Sequence, residues 1–144
     1  DGAVVGDAVR LVVQAHSQGG NHDEALRLAR EEATKAEGAE GPLRAAAAVA
    51  LADALLAAGS SRDAAEEALK MAGEAAEAAR AAGTRRLEAA ARLSEANAHM
   101  REGDSRRGGG QASYQAALEA GKTAVELFDL SGDLRGQAMA AHAI

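Results

Sequence analysis

Apolar and polar positions follow the period of the α-helix along this chain, in blocks cut by glycine. Val5, Val9, Val12, Val13 and His16 recur three or four residues apart, which predicts a first helix over Val4–Ser17. Gly19-Gly20 breaks it. Ala25, Leu28, Ala29 and Ala33 put one apolar face on a second helix, His22–Glu37, and Asn21 and Glu24 are spaced as a capping signal at its start. Pro42 suits the opening turn of a third helix that runs to Ala58, because its missing N–H costs nothing there. Ser61 reads as the cap of a fourth, Arg62–Ala82, in which Glu66 and Lys70 have i,i+4 spacing. Gly83 closes that helix and Thr84 is placed to cap a fifth, Arg85–Arg101. A sixth covers Gln111–Leu130 and a seventh begins near Leu134. Gly103 to Gly110, with three consecutive glycines, is expected to be a mobile loop.

These helices come as pairs that repeat. The segments ending Gln14-Ala15-His16-Ser17-Gln18-Gly19-Gly20, Asp53-Ala54-Leu55-Leu56-Ala57-Ala58-Gly59 and Asn97-Ala98-His99-Met100-Arg101-Glu102-Gly103 align without gaps. Their final glycines recur after about 39 and about 44 residues, within the range of helical solenoids. Short connections force antiparallel neighbours. A single pair cannot bury its apolar stripe, so the pairs stack. The expected fold is therefore all-α: an α-solenoid of antiparallel helix hairpins, three pairs plus the start of a fourth. Residues 1–144 read as one domain, with units at about 1–41, 42–83 and 84–133 and a partial unit at 134–144. A start at Asp1 without Met and a stop inside a helix at Ile144 suggest a fragment of a longer chain.

Composition supports this class and removes others. Of 144 residues 41 are Ala, one is Pro, and Tyr114 and Phe128 are the only aromatics, which excludes a β protein. Alanine buries little area, so the core is expected to be thin but closely spaced. The net charge of −6, without a basic stripe or aromatic platform, argues against nucleic acid as a partner. There is no Cys, hence no disulfide and no thiolate metal site. The most apolar run, Ala45 to Ala58, is interrupted by Asp53 and is too short to span a bilayer, so the chain is read as not membrane-spanning.

Several residues point to a family. Gly20-Asn21-His22-Asp23-Glu24-Ala25-Leu26 resembles the turn and second-helix opening of the tetratricopeptide repeat (TPR), in its longer variety of about 40 residues. The family's small-residue positions are matched by Ala15, Ala52, Ala54, Ala96 and Ala98. Its large position, normally Tyr, holds His16, Leu55 and His99. Ala124-Val125-Glu126-Leu127-Phe128 followed by Ser131-Gly132-Asp133-Leu134-Arg135-Gly136-Gln137-Ala138 is similar to the junction between long repeats. The resemblance covers nearly the whole chain. The early Trp-like position departs from the pattern, holding Val9, Ala48 and Arg92, and Glu95 stands where Leu is usual.

Candidate chemistry is sparse. Ala116 to Thr123 matches a relaxed phosphate-loop pattern ending Gly121-Lys122-Thr123. A phosphate loop needs Gly-rich backbone after a buried strand, and here Ala and Leu fill the loop, so a continuous helix is expected. His16, His22, His99 and His142 lack ligand spacing, and His16 and His99 fall at equivalent, packing positions. Glu31-Glu32 and Glu66-Glu67 read as solvated helix faces rather than catalytic carboxylates. Neither a catalytic residue nor a metal or cofactor site is assigned, and no enzyme activity is expected.

Binding is better supported. The TPR resemblance implies that the first helix of each pair lines a concave surface. Aligned polar positions there are Gln14, Asp53 and Asn97, with Arg10, Gln18 and Arg101 one turn away. Amides in such a row could hold an extended peptide backbone, and Arg101 could meet a carboxylate. The family's full clamp for acidic C-termini is not expected, because the middle unit offers Val49, Asp53 and Leu56. The leading expectation is a non-catalytic scaffold that binds a peptide or partner subunit. The alternative is a permanent structural subunit of a large multiprotein complex, an organellar one included. Nucleotide binding through Gly121-Lys122-Thr123 is a distant third.

Overall fold

The computed structural model describes residues 2–39, 41–105 and 110–143, with side chains from Val4 onward. Among these, every element is helical: α1 Gly2–Gln18, α2 His22–Lys35, α3 Pro42–Ala58, α4 Arg62–Ala81, α5 Arg85–Ser105, α6 Gln111–Leu130 and α7 Leu134–Ala143. The all-α class follows from the alanine content and the apolar spacing. Of the loop expected at Gly103 to Gly110, residues 103–105 belong to α5 and residues 106–109 lie outside the described residues, as do Asp1, Glu40 and Ile144.

Each helix packs on the next, and the odd-numbered helices also pack on one another: α1 on α3, α3 on α5 and α5 on α7. The even-numbered helices do not approach each other's backbone; Arg30 of α2 reaches Glu67 of α4 only through a side-chain ion pair at 2.8 Å. Odd helices thus form a continuous row, and even helices back that row.

Small residues allow this spacing. In α4 the buried positions are Ala65, Ala68, Ala72, Ala75, Ala76 and Ala79, and in α6 they are Ser113, Ala117, Gly121, Ala124 and Phe128. Both sets follow helical spacing and form one stripe. Helix α3 is buried on nearly all sides from Ala45 to Ala52, because α1, α2, α4 and α5 surround it. Val49 is the largest side chain that is wholly buried among the described residues. Gly6 lets α1 come close to α3: a Cβ there would lie 2.5 Å from Ala46 Cβ.

Helix ends use backbone closures that the sequence foreshadows only in part. At α1, α4 and α6 the amides of Asn21, Thr84 and Asp133 donate five residues back to the carbonyls of His16, Ala79 and Phe128, at 2.9, 3.0 and 3.0 Å. The intervening Gly20, Gly83 and Gly132 have φ of 78°, 68° and 70°, which only glycine adopts without strain. Ser61 caps α4 as expected, accepting from the Ala64 amide at 3.1 Å.

Four local expectations are corrected. Asn21 makes no side-chain cap, and its box partner Glu24 is held by Arg27 at 2.6 Å instead. The Thr84 hydroxyl donates back to the Ala79 carbonyl, closing α4 rather than opening α5. Glu66 pairs with Arg62 at 2.7 Å, not with Lys70. The aligned glycines also part company. Gly20 is left-handed, Gly59 is extended at φ −164°, and Gly103 lies buried within α5, which runs on to Ser105. Gly103 stays helical because the Tyr114 ring covers it, leaving 2.7 Å between Cε1 and any Cβ placed there. The Tyr114 hydroxyl then donates to Asp104 at 2.8 Å.

Asp133 opens α7. Its carboxylate accepts from the Gly136 amide at 2.9 Å and from Arg86 at 2.8 Å. The Gly136 amide first, and the Arg86 guanidinium after it, hold this carboxyl below its ordinary range. Folding therefore favours the ionised form. The contribution is complete above the ordinary carboxylate pKa and fades as pH falls towards the lowered value. Asp133→Ala should cost about 1 kcal/mol in urea unfolding at neutral pH. The gap between variant and wild type should narrow on acidification; a gap that widened would contradict this assignment.

Candidate functional site

A groove of about 910 Å³ runs across the row of odd helices. Its lining comes mainly from α1, α3, α5 and α7. Helical spacing explains the selection. On α5, Ala90, Ser94, Asn97, Arg101 and Asp104 recur every three or four residues and share a face, and on α1 so do Asp7, Arg10, Gln14 and Ser17. Arg86 and Arg101 stand at opposite ends of the α5 face, about 22 Å apart at 1.5 Å per residue. That length suits about seven residues of extended peptide.

At the centre, Asp53 of α3 faces both neighbouring odd helices. Its carboxylate accepts from the Ser94 hydroxyl of α5, and Arg10 of α1 contributes its charge from the other side. Asp53 keeps contact with the groove solvent, yet the protein packed around it raises its carboxyl above the ordinary range; Ser94 and Arg10 oppose that shift. Arg10 Nε is buried without a hydrogen-bond partner. Apart from Arg44, Asp53 is the sole charge in Pro42–Ala58.

The two ends differ. One carries the Arg86–Asp133 pair with Asp7 and Arg135. The other carries Met100, Arg101 and Asp104, the last accepting from Tyr114. Met100 and Met139 are 38% and 48% exposed, so the lining offers flexible apolar contact beside its charges.

Of the residues expected from the sequence, Arg10, Gln14, Asp53, Asn97 and Arg101 line this one groove. Gln18 does not; it is exposed at the last residue of α1. Ser94, Arg135 and Met139 join the site without having been expected. Ser94 was recoverable from its spacing of three and seven residues to Asn97 and Arg101. Arg135 and Met139 depend on where α7 packs.

The other candidates stand apart from the groove. Residues 116–123 lie inside α6, so their backbone is committed to helical hydrogen bonds and forms no phosphate loop. His99 Nδ1 sits 3.6 Å from Glu102, against the packed interior. Among the described residues no set of three or more His, Asp or Glu is grouped to hold a metal ion, and no helix is long and apolar enough to cross a membrane. Comparison of the chain with protein-family models, with curated proteins and with solved structures finds no match.

Proposed function

We propose that the chain is a non-catalytic interaction scaffold, a TPR-like α-solenoid that takes an extended peptide or a partner's segment along the odd-helix groove. The observation that carries this reading is the convergence of Arg10, Gln14, Asp53, Asn97 and Arg101 on one surface. The packing order supports the solenoid part: odd helices touch in series while even helices stay apart. Asn97 and Gln14 supply amides that can pair with a peptide backbone, and Arg101 supplies at one end a guanidinium that forms no ion pair among the described residues. Asp53 supplies a fixed acceptor at the middle.

Peptides selected from a random displayed library provide the test. Asn97→Ala and Arg101→Ala should each weaken the selected peptide by about tenfold, or about 1.4 kcal/mol. Circular dichroism should be unchanged, since both side chains are exposed. Selection of no peptide, or equal binding by both variants, would remove the groove from consideration.

The second reading, a structural subunit of a larger assembly, draws on a separate observation. Val4, Leu11, Leu130 and Leu134 are 67%, 63%, 68% and 78% exposed. Such apolar ends on α1, α6 and α7 suit a chain that is covered by neighbours.

A further inference from the structure

We infer that Asp53 is the seat of a lysine side chain carried by the bound peptide. This rests on the groove reading above and names what the groove selects. Of the aspartates that line the groove, Asp7, Asp104 and Asp133 stand at its ends, where Tyr114 holds Asp104 and Arg86 holds Asp133. Asp53 faces the middle. Ser94 donates to its Oδ1, and among the described residues it makes no ion pair. Arg10 acts on it only from a distance. Arg10 stands four residues before Gln14, the position aligned with Asp53, and so about one turn nearer the N-terminal ends of the odd helices. The protein packed around Asp53 raises its carboxyl above the ordinary range, and Ser94 and Arg10 offset this only in part. A positive group in direct contact would favour the ionised form.

The surroundings suit lysine. Gln14 and Asn97, the positions aligned with Asp53 on α1 and α5, are exposed in the same groove and offer amide oxygens to the other protons of an ammonium. Leu56 and Met100 follow Asp53 and Asn97 by three residues, so they line the groove on the side away from Arg10. A four-carbon stem can lie along them while its ammonium reaches Asp53. With Oδ1 engaged by Ser94, the second oxygen is left for a compact point charge. The guanidinium fork of arginine is matched to two free oxygens instead.

Selection of the random displayed library in parallel on the wild type, on Asp53→Asn and on Glu74→Gln tests this. Asparagine keeps an acceptor for Ser94 and removes only the charge, so circular dichroism should not change. Glu74 is exposed on α4, away from the groove, and its replacement alters the net charge by the same amount. Lysine should be enriched at one peptide position by the wild type and by Glu74→Gln, and not by Asp53→Asn. In a selected peptide, norleucine keeps the stem of that lysine without its ammonium. This exchange should weaken wild-type binding by about tenfold and Asp53→Asn binding by less than about twofold. The wild-type half of that comparison leaves the protein unaltered, so it reads the contact whether or not the variant is stable. Arginine at that position, no basic residue there, an equal norleucine loss on both proteins, or loss of the enrichment on Glu74→Gln as well overturns the inference. Peptides that need Asn97 and Arg101 but no lysine leave the scaffold reading standing without it. Selection of no peptide removes both.

Discussion

Replacing Phe128 by alanine should cost about 3–5 kcal/mol, the range for removing a buried Phe. The side chain is 5% exposed and is the only Phe in the chain. The buried cluster it belongs to is mostly alanine, with Val49 and Leu87 its only larger buried aliphatic members, so few side chains have the length to fill the space it would leave. The ring also sets the seat of α7: a Cβ on Gly136 would lie 2.3 Å from Phe128 Cδ1. The loss should show as a large fall in the urea midpoint, and amide exchange should accelerate first in α7. For a domain with a typical total of about 5–15 kcal/mol, this one change removes a large part. A loss below about 1 kcal/mol would mean that α6 and α7 are not packed as described.

Gly110→Ala should destabilise by about 2–3 kcal/mol, since Gly110 is the N-cap of α6, where alanine is disfavoured, and a methyl has no room there. A Cβ at Gly110 would stand 2.3 Å from Gly103 Cα, 2.7 Å from its carbonyl oxygen and 2.8 Å from its carbonyl carbon. These are backbone atoms of α5, which cannot rotate aside as a side chain can. The α5–α6 crossing would have to open, drawing Tyr114 off Gly103 and loosening its bond to Asp104. Gly73→Ala, inside a helix and free of any clash, is the contrasting case. It lies in the middle of α4 with nothing within 4 Å of the new methyl, and should stabilise by about 1 kcal/mol through helix propensity alone. Equal effects of the two substitutions would show that glycine at 110 is not a packing requirement.

The groove and the core share part of their lining, Val13, Ala50, Leu56, Ala90 and Phe128, but the exposed polar groove residues Asn97 and Arg101 lie outside the core. Phe128 apart, the core is nearly all alanine with a few Leu and Val. The groove carries Arg, Asp, Asn, Gln and Met on helices whose other faces hold that core. Ion pairs on the outer surface, such as Arg27 with Glu24 and Glu31 or Lys35 with Glu32, join groups that are well exposed and contribute little each. Substitutions at Asn97 and Arg101 should therefore change binding without unfolding the chain, which is what makes the peptide test informative.

Much of the site was legible because a groove face on a helix is a spacing. Arg10 and Gln14 are four apart, and Asn97 and Arg101 are four apart, so each pair shares a face whatever surrounds it. Asp53 stood out as an acid inside the most apolar stretch. Gln18 and Arg101 hold equivalent places in the alignment yet differ in the structure. Helix α1 ends at Gln18, whereas α5 continues a full turn past Arg101 to Ser105, so only Arg101 is held on the groove wall. That extension was hidden, because the sequence around Gly103 has the glycine and polar residues of a turn. It becomes helix only when Tyr114, from the next helix, packs over it.

Taken alone, the order of residues determined the helical class, the approximate bounds of α1 to α4 and α6, the starts of α5 and α7, and the helix breaks at Gly20, Gly83 and Gly132, because these depend on propensity and on neighbours within one or two turns. Packing decided the rest: Glu24 and Thr84 took other partners than their local motifs offered, Gly103 became helix, and α7 brought Arg135 and Met139 to the groove. Those outcomes depend on contacts between helices distant in the chain. Alanine faces of similar size and chemistry do not encode, within any one helix, which neighbour will cover them.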